Sequence, residues 1–162
     1  MAVKLIIIMW KKVDKKILSI IQKDATIPLS ELSKKVGISK TPSWNRIRKM
    51  EEDGIINSRV TVLDYKKLNL NIVVFLSVSV SSHSEEWLTD FKTILSKYNQ
   101  IIEAYRLTGS STDYLLKIVA PSIEEYDKFQ QHLINEVKFT KMSSSIALKE
   151  IKKIHSLPLD YI

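Results

Sequence analysis

The chain has 162 residues, 44% of them apolar, with 25 Lys/Arg against 18 Asp/Glu, a formal charge of +7 and a pI near 9.5. That length holds one ordinary domain or two small ones, and the composition is that of a soluble globular protein, not a low-complexity or disordered chain. Cysteine is absent, which excludes a disulfide framework, a thiolate nucleophile and a cysteine-ligated zinc, and suits a reducing cytosol.

"KLIIIMW" opens the chain with only six apolar residues after Lys4, far short of the ~20 that cross a bilayer. A signal peptide would need a longer apolar core and a small-residue cleavage site, and "KKVDKK" follows instead. The stretch is expected to be a short extension, a strand packed on something, with no membrane partner.

Val13, Ile17, Ile20 and Ile21 then fall at i, i+4, i+7 and i+8, the stripe of an amphipathic helix. "KDATIP" ends it, because Pro28 cannot sit inside a helix but can open the next. The second helix covers about residues 29–36, with Leu32 and Val36 inward, and Gly37 stops it by entering the left-handed region. Ser39 is a good N-cap for a third helix over about 40–53, with Pro42 near its first turn. Ser43, Ile47 and Met50 form that helix's only inward row, and Thr41, Trp44, Asn45, Arg48, Lys49 and Glu52 project away from it. "IINSRVTVLD" alternates in period two and predicts a short hairpin. Three helices with a glycine turn and a trailing hairpin predict a winged helix-turn-helix over residues 1–66, including the extension and a hinge strand.

From Leu68 the texture changes. "LNLNIVVFLSVSV" predicts a strand with Ile72, Val74, Leu76, Val78 and Val80 on one face. "SEEWLTDFKTILSKY" predicts a helix capped by Ser84, with Trp87, Phe91, Ile94, Leu95 and Tyr98 inward. Two strands joined by a polar turn at 109–113, a second helix in "SIEEYDKFQQHLINEV" and a last strand in "SSSIALKEIKKI" follow. The order β-α-β-β-α-β predicts a ferredoxin-like domain over 67–162 and an α+β chain as a whole. Val73, Phe75, Leu115 and Val119 are expected on the sheet face away from the helices, which predicts back-to-back pairing of two copies.

The charge is unevenly divided. Residues 1–65 carry 13 Lys/Arg against 7 Asp/Glu, an excess of six, whereas residues 66–162 carry 12 against 11, an excess of one. A basic block beside a neutral one suggests that the basic part meets a polyanion. The third helix explains how. Arg can grip guanine bidentately, Asn can do the same with adenine, and Lys mostly neutralises phosphate. Thr41, Trp44 and Asn45, in the helix's first turns, are the expected base readers; Arg48 can reach a base or a phosphate. Lys34, Lys35, Lys40, Lys49 and Arg59 are expected on the DNA backbone, and Ser39 and Ser43 complete the contact set. Trp44 has a second reading, partial burial against the wing. Arg46 lies closer to the inward row and is expected to pair with a carboxylate on a neighbouring helix.

The wording from "VDKKILSIIQKDATIPLSELSKKVGISKTPSWNRIRKMEEDGII" through "GSSTDYLLKI" to "IALKEIKK" resembles the Lrp/AsnC (leucine-responsive, feast/famine) family of transcription regulators over about residues 12–157. The resemblance implies a cytoplasmic homodimer, assembling into tetramers or octamers, that binds operator DNA and senses an amino acid or related metabolite where dimers meet. It puts Gly109, Ser110, Ser111, Thr112 and Asp113 in the family's pocket-forming turn, and Ser144 at a position where a hydroxyl lies near the ligand. The turn departs from the pattern in length and lacks its aromatic residue, so a polar hairpin turn without a ligand stays open as an alternative. Asn69 replaces a common glycine, and Pro28 a common N-capping Ser or Thr.

Other functions fare worse. His83, His132 and His155 are isolated, and Gly37, Gly54 and Gly109 each have a turn to make, so no metal, phosphate-loop or nucleophile motif is present and no cofactor or catalysis is expected. A sequence-tolerant architectural DNA binder is the remaining alternative to a specific regulator. The Lys- and Ile-rich, Gly-poor composition hints at a thermophilic archaeon.

Overall fold

The computed structural model describes residues 11–109 and 111–162, so the N-terminal extension and Ser110 lie outside the described residues. The chain folds as two units. One closes at Thr61 and is rejoined by Lys152–Ile162; the other is Val62–Ile151.

In the first unit α1 (Lys12–Ile21), α2 (Leu29–Val36) and α3 (Lys40–Glu52) enclose a core of Ile17, Leu18, Leu32, Val36, Ile47 and Met50. Each helix boundary has a local cause. At the start of α1 the Lys11 amide donates to the Asp14 carboxylate at 3.3 Å and the Lys11 carbonyl accepts from the Asp14 amide at 2.8 Å. After α1, the Asp24 carboxylate accepts from the Thr26 hydroxyl and amide, which holds its pKa below the usual carboxylate value and fixes the turn before Pro28. Gly37 ends α2 at φ +86, where its amide and that of Ile38 both donate to the Ser33 carbonyl.

Two expectations for this unit are corrected. The hairpin predicted after Gly54 is not formed: residues 57–64 take no strand pairing, and Val60, Val62 and Leu63 are exposed. The alternating run joins no sheet, and a strand without a partner makes no ladder. The second correction concerns the tail. Residues 67–162 were expected to form one domain, yet Lys152–Ile162 returns to the first unit. Leu159 and Ile162 pack against the helical core, and the Gln22 side-chain amide grips the Leu157 backbone, donating to its carbonyl at 3.2 Å and accepting from its amide at 2.9 Å.

The second unit is the expected βαββαβ: β1 (Ile72–Ser79), α4 (Glu85–Lys97), β2 (Ile101–Arg106), β3 (Tyr114–Ala120), α5 (Ile123–Glu136) and β4 (Lys141–Ile146). The sheet order is β2-β3-β1-β4 with every neighbouring pair antiparallel. Asn69, before β1, takes the left-handed conformation at φ +61 that the glycine substitution required. On the helix side, Val74, Leu76 and Val78 meet Leu116 and Ile118 under Phe91, Tyr126, Phe129 and Leu133. Ser84 and Ser122 cap the two helices by accepting from the amides of Trp87 and Glu125. Glu136 on α5 accepts from Lys97 at 2.9 Å and Tyr98 at 2.8 Å, and these bonds hold its carboxyl below the ordinary range.

On the opposite face Phe75 stays 36% exposed, and Val73 and Leu115 are half-buried, while Val119 across from Val73 is buried. The last strand stops at Ile146, short of the predicted run to Ile154, and Leu148 and Ile151 beyond it are exposed. No described helix is long and apolar enough to cross a membrane.

Gln22→Ala is expected to remove both grips on Leu157. Hydrogen exchange should show faster exchange across 155–162 with that of β1 unchanged, and a denaturant titration should show the head weakened by about 1 kcal/mol.

Candidate nucleic-acid interface

The helix α3 is seated by one stripe. Ser43 is fully buried, Ile47 and Met50 nearly so, and the Ser43 hydroxyl donates to the Ser39 carbonyl at 3.0 Å. Ser43 therefore belongs to the seat and drops out of the DNA contact set; a residue on the helix's inner stripe has no path to a duplex. Beside the stripe, Arg46 Nη1 meets Asp14 Oδ1 at 2.7 Å and ties α3 to α1, the neighbouring-helix carboxylate expected for it.

Everything else on α3 that was expected outward is outward. Lys40, Thr41, Trp44, Asn45, Arg48 and Lys49 are exposed along one side of the helix, and Ser39 precedes them with no capping bond from its side chain. Lys34 and Lys35 sit in the last turn of α2, also exposed, and Arg59, exposed as well, follows in the unpaired run after α3.

The sequence reading missed how these cations are held. Arg48 Nε donates to Glu52 at 2.9 Å, Lys49 pairs with Asp53 at 3.1 Å, Arg59 with Glu51 at 2.7 Å, and Lys35 with Glu31 at 2.7 Å. Three consecutive carboxylates thus each take one cation of the outer face. Three of these four pairs are i,i+4 on a helix, so the spacing in "RKMEED" was readable beforehand. Exposed pairs of this kind contribute about 0–1 kcal/mol, so those of Lys35, Lys49 and Arg59 are weak enough for phosphate to replace the carboxylate.

Trp44 sits between its two readings. Its ring is 48% exposed, and the Arg48 guanidinium carbon lies 5.3 Å from the ring centre. The ring also borders a cleft of about 230 Å³ floored by Ile21, Ile27 and Leu32, with Arg48, Glu51 and Arg59 at its edge. A second, larger cavity of about 410 Å³ lies between α1, residues 55–59 and the returning tail.

In the second unit the turn from β2 to β3 is closed by the Leu107 amide donating to the Asp113 carbonyl at 2.8 Å, with Gly109 at φ +73. Asp113 is structural as well as polar. Its amide donates to Val78, one carboxylate oxygen accepts from the Val80 amide at 2.9 Å, and the other stands 3.4 Å from His83 Nε2. The Ser111 carbonyl accepts from Ser79 at 3.3 Å, and Thr112 is half-buried. Ser144 is elsewhere. It lies opposite Leu76 on the other flank of β1, about 10 Å along the strand from the turn. Its hydroxyl is 2.7 Å from that of Tyr126, whose pKa burial pushes up and this bond pulls back. One protomer therefore does not bring Ser144 together with Gly109, Ser111, Thr112 and Asp113. The sequence also passed over Tyr114, whose buried hydroxyl has no partner among the described residues and whose ring meets Trp87 and Phe91.

Comparison with known proteins fits these features. Residues 73–157 match the family described as Lrp/AsnC ligand binding domain, and residues 11–57 match winged helix-turn-helix DNA-binding. The glutamate uptake regulatory protein of Zymomonas mobilis is 44% identical over 146 residues, 90% of this chain and 88% of that protein. The crystal structure of an AsnC family transcriptional regulator from Agrobacterium tumefaciens superposes with a TM-score of 0.90 at 44% identity, covering 94% of this chain and 99% of that one. A transcriptional regulator from Neisseria meningitidis, solved as an L-Met complex, gives 0.87 at 30% identity, covering 94% and 98%. All three sources are bacterial, so the archaeal hint in the composition is not borne out.

Asp14→Ala leaves the half-buried Arg46 guanidinium without its carboxylate. It is expected to destabilise the head by about 1–3 kcal/mol in a denaturant titration while leaving base preference in a duplex-binding assay unchanged.

Proposed function

The chain belongs to the Lrp/AsnC family of DNA-binding transcriptional regulators, and from that premise we propose that it reads operator DNA through the outer face of α3 as a homodimer or larger assembly, tuned by an amino acid or related metabolite. The observation that carries the reading is the division of α3 itself: a buried stripe of Ser43, Ile47 and Met50, and an exposed side holding Thr41, Trp44, Asn45 and Arg48. A helix of that build fits the major groove, with Asn45 suited to adenine and Arg48 to guanine. Lys34, Lys35, Lys40, Lys49 and Arg59 flank those readers and would neutralise phosphate, with Ser39 near the helix N-terminus. It is a regulator working in the cytoplasm, where duplex DNA is, and not a catalyst.

Assembly is supported by apolar surface that one copy leaves open. Phe75 with its half-buried neighbours Val73 and Leu115 forms such a surface on the sheet, and Val60, Val62 and Leu63 another along the unpaired segment. Surfaces of this kind are what a second copy covers.

The sensor reading is supported by the L-Met complex of the Neisseria regulator. Gly109, Ser111, Thr112 and Asp113 on the turn and Ser144 on β4 lie apart within one protomer, so the effector site they would form is one that neighbouring copies complete between them.

Selection of bound sequences from random duplexes, with and without an amino-acid pool, tests the whole reading. Asn45→Ala is expected to relax preference at discrete positions, at roughly 1–3 kcal/mol each; uniform weakening across all sequences would reduce Asn45 to a backbone contact. A thermal-shift titration of the twenty amino acids is expected to raise the melting temperature for at least one of them, by mass action on the folded state. Absence of any shift would leave the turn as structure alone.

A further inference from the structure

Trp44, Arg48 and Glu52 follow one another at four-residue steps, so they lie above one another on one stripe of α3. Arg48 is in the middle of this ladder. Its guanidinium carbon is 5.3 Å from the Trp44 ring centre on the N-terminal side, and its Nε donates to Glu52 at 2.9 Å on the C-terminal side. The two contacts act on different parts of the same group. The ring offers a platform for the guanidinium, and the carboxylate takes Nε, the donor nearest the stem. Neither Nη atom has a hydrogen-bond partner in the protein among the described residues. Those two nitrogens are the pair whose spacing meets guanine O6 and N7.

We propose that Glu52 and Trp44 are positioning residues for Arg48, fixing its guanidinium so that the Nη pair is presented to a guanine, and that they thereby set specificity at one base pair. The inference rests on reading α3 as the helix that enters the groove.

The neighbouring pairs mark what is particular here. Lys49–Asp53 and Lys35–Glu31 have the same four-residue spacing. An ammonium is a point charge with no plane to orient, so a carboxylate beside it changes local charge and not direction. Among the described residues only Arg48 combines a planar head, a ring beneath it and an acceptor on its Nε. Arg48 and Glu52 are exposed, with side-chain accessibilities of 58% and 62%, so their pair is not needed to hold the head together, while Trp44 is half covered. A long side chain left unrestrained loses rotamer freedom when it binds, and a ladder that orders it beforehand removes that cost from the specific complex.

The test uses the full chain and measures binding to the selected duplex, to the same duplex with each base pair exchanged in turn, and to random-sequence duplex. Arg48→Ala should erase preference for guanine at one position, by at least about fivefold. Glu52→Ala should lower discrimination at that same position by about twofold to fivefold, with affinity for random duplex unchanged or higher because a carboxylate near the phosphates is gone. Glu52→Gln keeps an acceptor for Nε and should retain most of the discrimination, which a purely electrostatic role would not. Trp44→Phe should likewise retain more than Trp44→Ala. Glu31→Gln serves as the control and should leave every position's preference intact. Unchanged melting curves establish that the variants fold.

The inference is overturned if Arg48→Ala relaxes its position while Glu52→Ala does not, and the parent reading then survives. It is overturned too if Glu52→Ala weakens all sequences alike, or if Trp44→Ala relaxes a different position, which would make the ring a reader in its own right. If neither Arg48→Ala nor Asn45→Ala relaxes any position, the parent reading fails with it.

Discussion

α3 is held in the head by three side chains on one stripe and by the Arg46–Asp14 bridge to α1. A helix seated by a broader apolar face would have to bury the positions now taken by Trp44, Asn45 and Arg48, and a polar group cannot be buried without partners at a cost of several kcal/mol. The narrow seat is therefore the condition for the functional face. It is possible because α1 and α2 supply most of the core, with Ile17 and Leu32 fully enclosed, and because the buried Ser43 hydroxyl is satisfied within its own turn by Ser39. The small side chain at that point lets α3 approach closely without adding an unpaired polar atom.

The exposed face has the opposite character. Its cations are paired with carboxylates of the same helix or the segment after it, so off DNA they are ordered and partly neutralised, and on DNA the weak exposed pairs of Lys49 and Arg59 can exchange for phosphate. Net positive charge still resides in this unit. The sheet unit is close to neutral overall and carries the open apolar surface around Phe75. Excess positive charge and that open apolar surface thus belong to different units of one chain.

Much of this was legible in the residue order, and what was not has a common cause. The helices followed from apolar spacing and from Pro28, Gly37 and Ser39 as punctuation; the helix-facing side of β1 followed from strict alternation; Asn69 and Arg46 behaved as their neighbours required. These are local regularities. The grip of Gln22 on Leu157 spans 135 positions, and no period in either segment announces it. The hairpin after Gly54 failed for a related reason: alternation shows that a segment is extended but says nothing of whether a partner strand exists. In the site, periodicity had already put Ser43 on the inward row, and its burial there conflicts with its inclusion among the contacts. Family likeness put Ser144 near the ligand without saying how it stands to the turn, and strand register in one protomer sets it on the far side of β1.

The returning tail has one more consequence. Leu159 and Ile162 pack against the core of a unit whose helices are made first, and the whole of the sheet unit is translated in between. As the nascent chain leaves the ribosome, its helical portion waits with part of its apolar surface uncovered until residues 152–162 emerge. A newly made molecule thus acquires its finished helical head only after the sheet unit is already out, and a polypeptide cut short before residue 152 would be handicapped at the very step that touches the chromosome.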